Sequence, residues 1–540
     1  MSKAARATVL LMIVTIVSKI LGLFRDSVLA SAYGTGKYAA VYSTANSIST
    51  ILFAVIGTAL ATSLIPLYNK LASEDSTERA MGFLNSVVNL VVIVCLSIAG
   101  LGIIFAGPLV KVFAPGYQGD VYTLCVQYTR ILLPSIVFVG LANIFTSYLQ
   151  IKKRYVIPGF IGMPYSIIII VSIYLSLKTS PMVLVIGTLI AISAKALFQL
   201  PFVYKEGYRY RPKINLKDPV MKDMMILILP VVIGVGVNQI NSIIDKSLAS
   251  LLGTEVVASF SYATRLYEFV QALFITSILS VIYPKLSRLI VLDKVDIFLD
   301  SIKKTLNVII VVLVPIIIGC IVLARPIVGL LYQRNAFTSK DTLITANILI
   351  IYVAGILAFS LRDVLTRGFY SMEDSKTPMF NSIVAIMFNI VLNFILIKPL
   401  GYVGLALATT ISAYIGLFLL NISMKNKIPN YSTNDNYKIF FKCFLASIVM
   451  GIVVNLVYAS LEKIIIGGVI FNCITLFISI SVGILIYCTM LYFLHVDEFK
   501  LFYRMIFDNF TRIKKKLQIV IFTLLYSWTY GRIVIVEGYI

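Results

Sequence analysis

The chain is a succession of long apolar runs separated by short polar connectors. The first run covers about residues 5–33 and the last about 465–495. A run of about 20 apolar residues is long enough to cross roughly 30 Å of hydrocarbon as an α-helix. Strands of a transmembrane β-barrel are about ten residues long and alternate apolar with polar positions, which these runs do not do. The pattern predicts an all-α polytopic membrane protein with about fourteen transmembrane helices.

The apolar pattern also repeats, at a shift of about 218 residues, and self-similarity at a fixed shift indicates an internal repeat. The stretch LIPLYNKL (64–71) matches IYPKLSRL (282–289), and AGPLVKV (106–112) matches ARPIVGL (324–330). Each predicted unit holds six spans, so the second copy enters the membrane in the same direction as the first. Two parallel repeats related by an axis along the membrane normal are an architecture of transporters.

The repeat predicts the domain organisation. An N-lobe covers residues 1–217 and a C-lobe covers 218–435. Two additional spans follow at 436–497, and 498–540 forms a basic tail that ends in an apolar segment. The sequence leaves open whether residues 517–540 form an interfacial helix or a non-native extension.

The charges support a membrane protein and indicate its orientation. Of 540 residues, 59% are hydrophobic and 13% are charged, with a formal net charge of +22. The basic residues are spread over short connectors with no aromatic-rich soluble platform near them, so we expect no nucleic-acid partner. They concentrate in alternate connectors, such as 152–154 and 205–217, and after the last span. The positive-inside rule therefore predicts that both termini are cytoplasmic.

The sequence shows no sign of an enzyme. It contains no GxxxxGK[ST] motif, which would indicate a phosphate-binding loop for ATP. The six cysteines lie singly in apolar runs, so they predict neither a disulfide framework nor a metal cluster. Any energy for transport must come from an ion gradient, the membrane potential or the gradient of the substrate.

Ionisable residues interrupt the first apolar run. The stretch SKILGLFRD places Lys19, Arg25 and Asp26 within it. A charged side chain near the bilayer centre costs roughly 2.5–3.5 kcal/mol on insertion scales and usually faces a cavity, a partner or a pathway. Lys19 and Asp26 are seven residues apart and lie on nearly one helical face. The alternative is a self-neutralising Arg25–Asp26 pair or cations that reach the interface.

The C-lobe carries polar groups at a similar depth. The stretch VNQINSIIDKSLAS brings Asn238, Asn241 and Asp245 to one side of a helix. In the next span, YATRLYEF places Arg265 and Glu268 three residues apart on one face. A basic cavity with a few carboxylates indicates an anionic substrate. Arginine matches phosphate, because its planar fork donates two hydrogen bonds and stays charged when desolvated.

Several motifs resemble a known family. The stretches SKILGLFRD, DKSLAS, YATRLYEF, YQRNAFT, FYSMEDSKTP and NIVLNFILIKPLGYVGLALATTISA, with the fourteen-span plan, are similar to the MurJ (MviN) lipid II flippases. This family belongs to the MOP (multidrug/oligosaccharidyl-lipid/polysaccharide) transporter superfamily. The resemblance covers about residues 1–495. Sister families that flip other polyprenyl-linked sugars share the same plan.

The resemblance implies a set of functional residues. Arg25, Asp26 and Arg265 correspond to the family's pyrophosphate-binding residues, and Lys19 stands where many members have arginine. The two added helices would take the lipid tail. Some members bind sodium, at positions that correspond to Asp245, Asn389, Asn393 and Thr409. The family's sodium site has a carboxylate where this chain has Asn393, and one negative charge fewer weakens a cation site. We expect no other cofactor.

The expected function follows from the resemblance. It is a flippase that moves the undecaprenyl-pyrophosphate-linked peptidoglycan precursor, lipid II, from the inner to the outer leaflet of the bacterial cytoplasmic membrane by alternating access. Its partners would be lipid II and membrane lipids, and we expect a monomer. The alternatives are a flippase of another polyprenyl-linked oligosaccharide or a cation-coupled drug antiporter of the same superfamily. A cation antiporter would need a cavity rich in carboxylates, which the basic set here disfavours.

Overall fold

A computed structural model describes residues 3–74, 77–464 and 467–496. The predicted basic tail, including residues 517–540, lies outside this range. The regular elements in the described chain are α-helices, with no β-strand among them. The prediction of an all-α membrane protein is confirmed.

The first half of the described chain folds into nine helices. They are α1 (Lys3–Tyr33), α2 (Lys37–Glu74), α3 (Thr77–Ile104), α4 (Ala106–Phe113), α5 (Gly119–Leu132), α6 (Ser135–Ile151), α7 (Val156–Phe160), α8 (Gly162–Lys178) and α9 (Met182–Lys205). The breaks between α5 and α6 and between α7 and α8 are short, so each pair counts as one membrane-crossing segment.

The second half repeats these boundaries. Its helices are α10 (Pro219–Leu251), α11 (Thr254–Val291), α12 (Val295–Val322), α13 (Ala324–Tyr332), α14 (Ser339–Ser371), α15 (Lys376–Leu400) and α16 (Tyr402–Lys427). Both ends of α12 lie 218 residues after the ends of α3, and α13 begins 218 residues after α4. The internal repeat predicted from short sequence matches therefore extends to the boundaries of the helices.

The described chain divides into two compact units. The smaller unit contains α12 and the two helices that follow the repeat, α17 (Asn434–Ile464) and α18 (Val469–Phe493). Helix α17 packs against both α12 and α18. Small residues permit this packing, because a Cβ at Gly451 would crowd Ile318 and one at Gly483 would crowd Val454. The lobe boundaries at 217 and 435 stay a prediction.

The larger unit holds residues 7–280 and 324–424. An apolar core of this unit forms where α2, α3, α6 and α9 pack together. Tyr148 lies at the centre of this core, with edge-on ring contacts to Tyr68 and Tyr208 at centroid distances of 6.0 Å. This packing supports α2, one of the helices that line the cavity described below.

The basic connector 206–218 is fixed to this core by two asparagines of α3. The Asn85 side chain accepts hydrogen bonds from the Tyr208 hydroxyl and the Arg211 amide, both at 3.0 Å, and donates one to the Arg209 carbonyl. Asn89 donates to the carbonyls of Arg211 and Lys213. Burial raises the pKa of the Tyr208 phenol above its ordinary value. These bonds satisfy backbone amide and carbonyl groups of the connector, which have no partner within a helix.

Ten helical segments of the described chain are long and apolar enough to span a membrane. The four helices α1, α2, α10 and α11 are outside that group, although they are 31 to 38 residues long. They include the segments whose charged residues were singled out above. The count of fourteen spans stays a prediction.

Candidate functional site

Three helices, α1, α10 and α11, each contribute a pair of charged residues to one cavity of about 540 Å³ inside the larger unit. Its wall combines basic, acidic and hydroxyl side chains with aromatic rings. Polar and charged residues that line it include Arg25, Asp26, Ser43, Ser47, Tyr165, Asn241, Asp245, Lys246, Ser261, Arg265, Glu268 and Thr409. The structure thus brings together three of the four residues predicted to bind substrate.

Arg25 and Asp26 form an ion pair on the wall contributed by α1. The Arg25 Nη2 and Nε atoms donate to Asp26 Oδ1 at 2.7 and 2.9 Å. Both side chains are largely buried, with 14% and 11% of their surfaces exposed. The Arg25 guanidinium also lies 5.1 Å from the centroid of the Tyr165 ring. A buried, paired arginine is held in a defined orientation and can exchange a carboxylate for a phosphate group.

Arg265 enters the same cavity from α11 and is held more loosely. Its Nη1 atom lies 3.2 Å from Oε2 of Glu268, three residues further along the helix. About half of each side chain is exposed, 48% for Arg265 and 51% for Glu268. Exposed ion pairs of this kind contribute little stability. Arg265 can therefore release Glu268 at small cost when another anion enters.

Lys246, on α10, is a third basic group of the cavity that the sequence prediction did not include. Its ammonium donates a hydrogen bond to the Ser47 hydroxyl of α2. The sequence signal was present, because Lys246 directly follows Asp245 in an apolar helix. Tyr165 was also missed, since an aromatic residue in an apolar run gives no such signal.

Lys19 lies apart from these groups. Its side chain is exposed, and it is not one of the residues that line the cavity. The spacing of seven residues that places Lys19 on the face of Asp26 also separates the two by about 10 Å along the helix axis. A shared face does not imply a shared depth. The role of Lys19 in binding substrate stays a prediction.

Asp245 joins the cavity to a cluster of buried amides from α15. Asn393 donates to Asp245 Oδ1 at 2.6 Å, and its amide nitrogen lies 3.0 Å from the side-chain amide of Asn389. Thr409 of α16 lies 3.4 Å from Asn389, and Asn241 lies 3.4 Å from Asp245 Oδ2. The four residues predicted for an ion site are therefore neighbours in the fold.

The chemistry of this cluster fits a hard cation only in part. Its oxygens are of the carboxylate, amide and hydroxyl types that such ions take. Asn393 Oδ1 is buried without a hydrogen-bond partner among the described residues, so this oxygen is available to coordinate a cation. Only Asp245 carries charge, however, and Asn393 already gives that carboxylate a hydrogen bond. Among the described residues no group of three or more His, Cys, Asp or Glu side chains forms a metal site.

The cavity is flanked by two hydrogen-bonded contacts between the repeats, which we call latches. In the first latch, the loop 333–338 meets the end of α1. The Ala336 amide donates to the Ser31 carbonyl at 3.1 Å, and the Asn335 side chain donates to the Ser31 hydroxyl at 2.9 Å. Gly34 has a φ of +55°, and a Cβ there would lie 2.9 Å from the Ala336 carbonyl carbon.

The second latch is the counterpart of the first under the repeat. The loop 114–118 meets the end of α10, where the Gly116 amide donates to the Ser250 hydroxyl at 3.0 Å. A Cβ on Gly116 would lie 2.8 Å from Leu251 Cα. Tyr117 in this loop bonds the Thr44 hydroxyl at 3.1 Å, and burial raises the pKa of its phenol.

A direct contact joins the two repeats between the latches. Ser43 on α2 and Ser261 on α11 are 218 residues apart, the shift of the repeat, and their hydroxyls are 2.5 Å from each other. Thr35 also bonds Asp341 Oδ1 at 2.5 Å, and Tyr262 donates to the Gly34 carbonyl at 3.1 Å. Equivalent elements of the two repeats therefore face each other at this end of the cavity.

The repeated helical fold and the charge-lined cavity define a polytopic membrane transporter. A family model described as lipid II flippase MurJ matches residues 29–477. The chain belongs to this MurJ family. It is therefore a multi-pass protein of the bacterial inner membrane.

Relatives and solved structures agree with this assignment. A probable lipid II flippase MurJ of Vibrio cholerae is 32% identical over 426 residues, which are 75% of this chain and 80% of the relative. A protein of the same description from Thermotoga maritima is 27% identical, over 90% of this chain and 95% of the relative. A lipid II flippase MurJ solved in an inward closed conformation superposes with a TM-score of 0.76, at 28% identity, over 92% of this chain and all of that one.

A more distant structure shares the fold alone. An inward-facing multidrug resistance MATE family transporter of the MOP superfamily has a TM-score of 0.66 and 13% identity, over 78% of this chain and 99% of that one. The predicted resemblance to MurJ flippases is confirmed.

Proposed function

We propose that this protein moves lipid II from the inner to the outer leaflet of the membrane by alternating access. The observation that carries the proposal is the presence of Arg25, Asp26 and Arg265 in one cavity. The pyrophosphate of lipid II is an anion with several acceptor oxygens, and arginine binds such groups through two parallel hydrogen bonds. Arg265, loosely paired, would contact it first, and Arg25 would then exchange Asp26 for phosphate.

The latches support the alternating-access part of the proposal. They hold one end of the cavity closed by a few hydrogen bonds, each contributing about 1 kcal/mol. An equilibrium set by a few such bonds can be shifted by a substrate that binds the two states differently. By the positive-inside rule, the other end of the cavity would face the cytoplasm, with both termini on that side. Lipid II, which is made inside the cell, would enter there.

The energy source and the lipid tail complete the proposal. The membrane potential contributes about 2.3 kcal/mol per charge at 100 mV, enough to bias a cavity with several cations. If sodium is coupled to transport, Asp245, Asn389, Asn393 and Thr409 would hold it, and the ion would neutralise Asp245. Helices α17 and α18 would take the undecaprenyl tail, and the working unit would be the monomer.

A second candidate is transport of another polyprenyl-pyrophosphate-linked oligosaccharide, because the charged groups of the cavity recognise the pyrophosphate and not the sugar. Replacement of the essential flippase in a bacterial depletion strain distinguishes the two. Growth rescue by the wild type is expected if lipid II is the substrate. Absence of rescue by a well-expressed wild type would favour the other lipid-linked substrates.

The same strain tests the arginine mechanism. Arg25→Ala and Arg265→Ala, at membrane levels equal to the wild type, should abolish rescue. Arg130→Ala is the matched control, since Arg130 is an exposed arginine on α5 that does not line the cavity. Rescue that survives both cavity substitutions would contradict the proposed role of the arginines and leave the substrate assignment intact.

A further inference from the structure

Lys195 is a cation near the cavity wall that no carboxylate of the described residues neutralises. It lies in the middle of α9 and is half-buried. Its ammonium is 3.8 Å from the centroid of the Tyr165 ring. Within the described ranges, no carboxylate lies at ion-pair distance from Lys195, whereas Arg25 and Arg265 pair with Asp26 and Glu268. A membrane-embedded cation without a counter-ion is costly and usually functional.

The Tyr165 ring is shared by two cations. Arg25 lies 5.1 Å from its centroid, in addition to Lys195 at 3.8 Å. The electron-rich face of an aromatic ring attracts cations, so Tyr165 holds the two groups beside each other. The two positive charges repel in a medium of low dielectric, and Asp26 compensates only one of them. A ligand charge that reaches Lys195 would relieve this repulsion.

Lys195 lies directly behind the part of the cavity wall that Tyr165 forms. Tyr165 lines the cavity, whereas Lys195 does not, so the ammonium lies one side chain behind the wall. The flexible four-carbon stem of lysine allows its charge to follow an entering anion. Lys195 is a charge in an apolar run, the signal that also marked Arg25, but its tyrosine partner on another helix is visible only in the structure.

We propose that Lys195, positioned by Tyr165, makes the cavity selective for substrates with two phosphates in their linkage. The inference rests on the proposed function and deepens it. A pyrophosphate diester carries two negative charges and a phosphate diester carries one. Arg25 and Arg265 bind the first phosphate after giving up their carboxylates, and Lys195 meets the charge of the second. A lipid-linked sugar with one phosphate leaves Lys195 unneutralised.

The test compares two ligands that differ by one phosphate. They are undecaprenyl-pyrophosphoryl-N-acetylglucosamine and undecaprenyl-phosphoryl-N-acetylglucosamine, and their affinities for the purified full-length protein in nanodiscs are measured. Lys195→Met should weaken binding of the pyrophosphate ligand about tenfold and that of the monophosphate ligand much less. Lys195→Arg should retain the preference. Tyr165→Leu should reduce it, while Tyr165→Phe, which keeps the ring, should not.

Lys178→Met is the matched control, since Lys178 is exposed at the end of α8 and does not line the cavity. Thermal unfolding of each variant checks that it is folded. If Lys195→Met loses affinity equally for both ligands, or loses none relative to Lys178→Met, the inference is overturned while the proposed function stands. A wild-type protein that binds neither ligand would overturn the proposed function and this inference with it.

Discussion

Gly34→Ala should open the end of the cavity that the first latch closes. A Cβ at this position would lie 2.9 Å from the Ala336 carbonyl carbon and closer still to its oxygen. Non-bonded carbon atoms prefer about 3.5–4 Å, so the loop 333–338 must retreat by roughly 1 Å. The two hydrogen bonds from this loop to Ser31, at 3.1 and 2.9 Å, would then be lost.

The size of the effect follows from these bonds. Each contributes about 1 kcal/mol net, so their loss destabilises the closed end by about 2 kcal/mol, or about 30-fold in the equilibrium between closed and open. Alanine at a φ of +55° adds backbone strain of about 1–2 kcal/mol. Gly119→Ala is a control for that strain alone. Gly119 has a φ of +52°, and no atom of the described residues lies within 4 Å of the point that a Cβ would occupy.

The assay is the labelling rate of a single cysteine in the cavity. Ser43→Cys, in a background without the six native cysteines, is exposed to a membrane-impermeant thiol reagent added outside the cell. Gly34→Ala should raise the rate by about tenfold or more, and Gly119→Ala should leave it near that of the parent. Equal rates in the two alanine variants would refute the reasoning that steric contact at Gly34 maintains the closed end.

Three further predictions concern separate parts of the molecule. Gly116→Ala should also raise the labelling rate of Ser43→Cys, because its Cβ would crowd Leu251 at the second latch. An unchanged rate would show that this latch does not hold this end of the cavity closed. Asn393→Asp should create a sodium-dependent protein, since a second carboxylate beside Asp245 needs a cation. Its melting temperature should rise more in sodium chloride than in choline chloride, and by more than that of the wild type; equal shifts would contradict the assignment of the ion site. Asn85→Ala should lower the free energy of unfolding by about 1–3 kcal/mol, because it removes the acceptor of two hydrogen bonds from the connector 206–218. Thermal unfolding of the purified protein measures this, and an unchanged midpoint would show that Asn85 does not stabilise the connector.

The helices and their repeat could be predicted because they depend on local pattern. Apolar runs of membrane-spanning length specify helices directly, and the proline-containing sequence matches marked positions that recur in both halves. The structure extends the same shift to helix boundaries such as those of α3 and α12. Arg25 and Arg265 were found for the same reason, since a charge in an apolar run is conspicuous at any position.

Other parts of the site depend on contacts that no local pattern encodes. The role of Tyr165 depends on the packing of α8 and α9, which places its ring against both Arg25 and Lys195. Gly34 and Gly116 matter because of the backbone that approaches each from the other repeat. For Lys19, helical periodicity indicated the face of α1 but not the depth of the cavity, and the exposed side chain lies apart from it.

Transport of lipid II is tested most directly by measuring how much lipid II reaches the outer leaflet in cells that depend on this protein. In a strain depleted of its own flippase, lipid II that has reached the outer leaflet is measured by its cleavage with an externally added, membrane-impermeant pyrophosphate hydrolase. Extensive cleavage is expected with the wild type, and little with Arg25→Ala or Arg265→Ala at equal membrane levels. If lipid II stays protected in cells with abundant wild-type protein, this protein does not move lipid II to the outer leaflet.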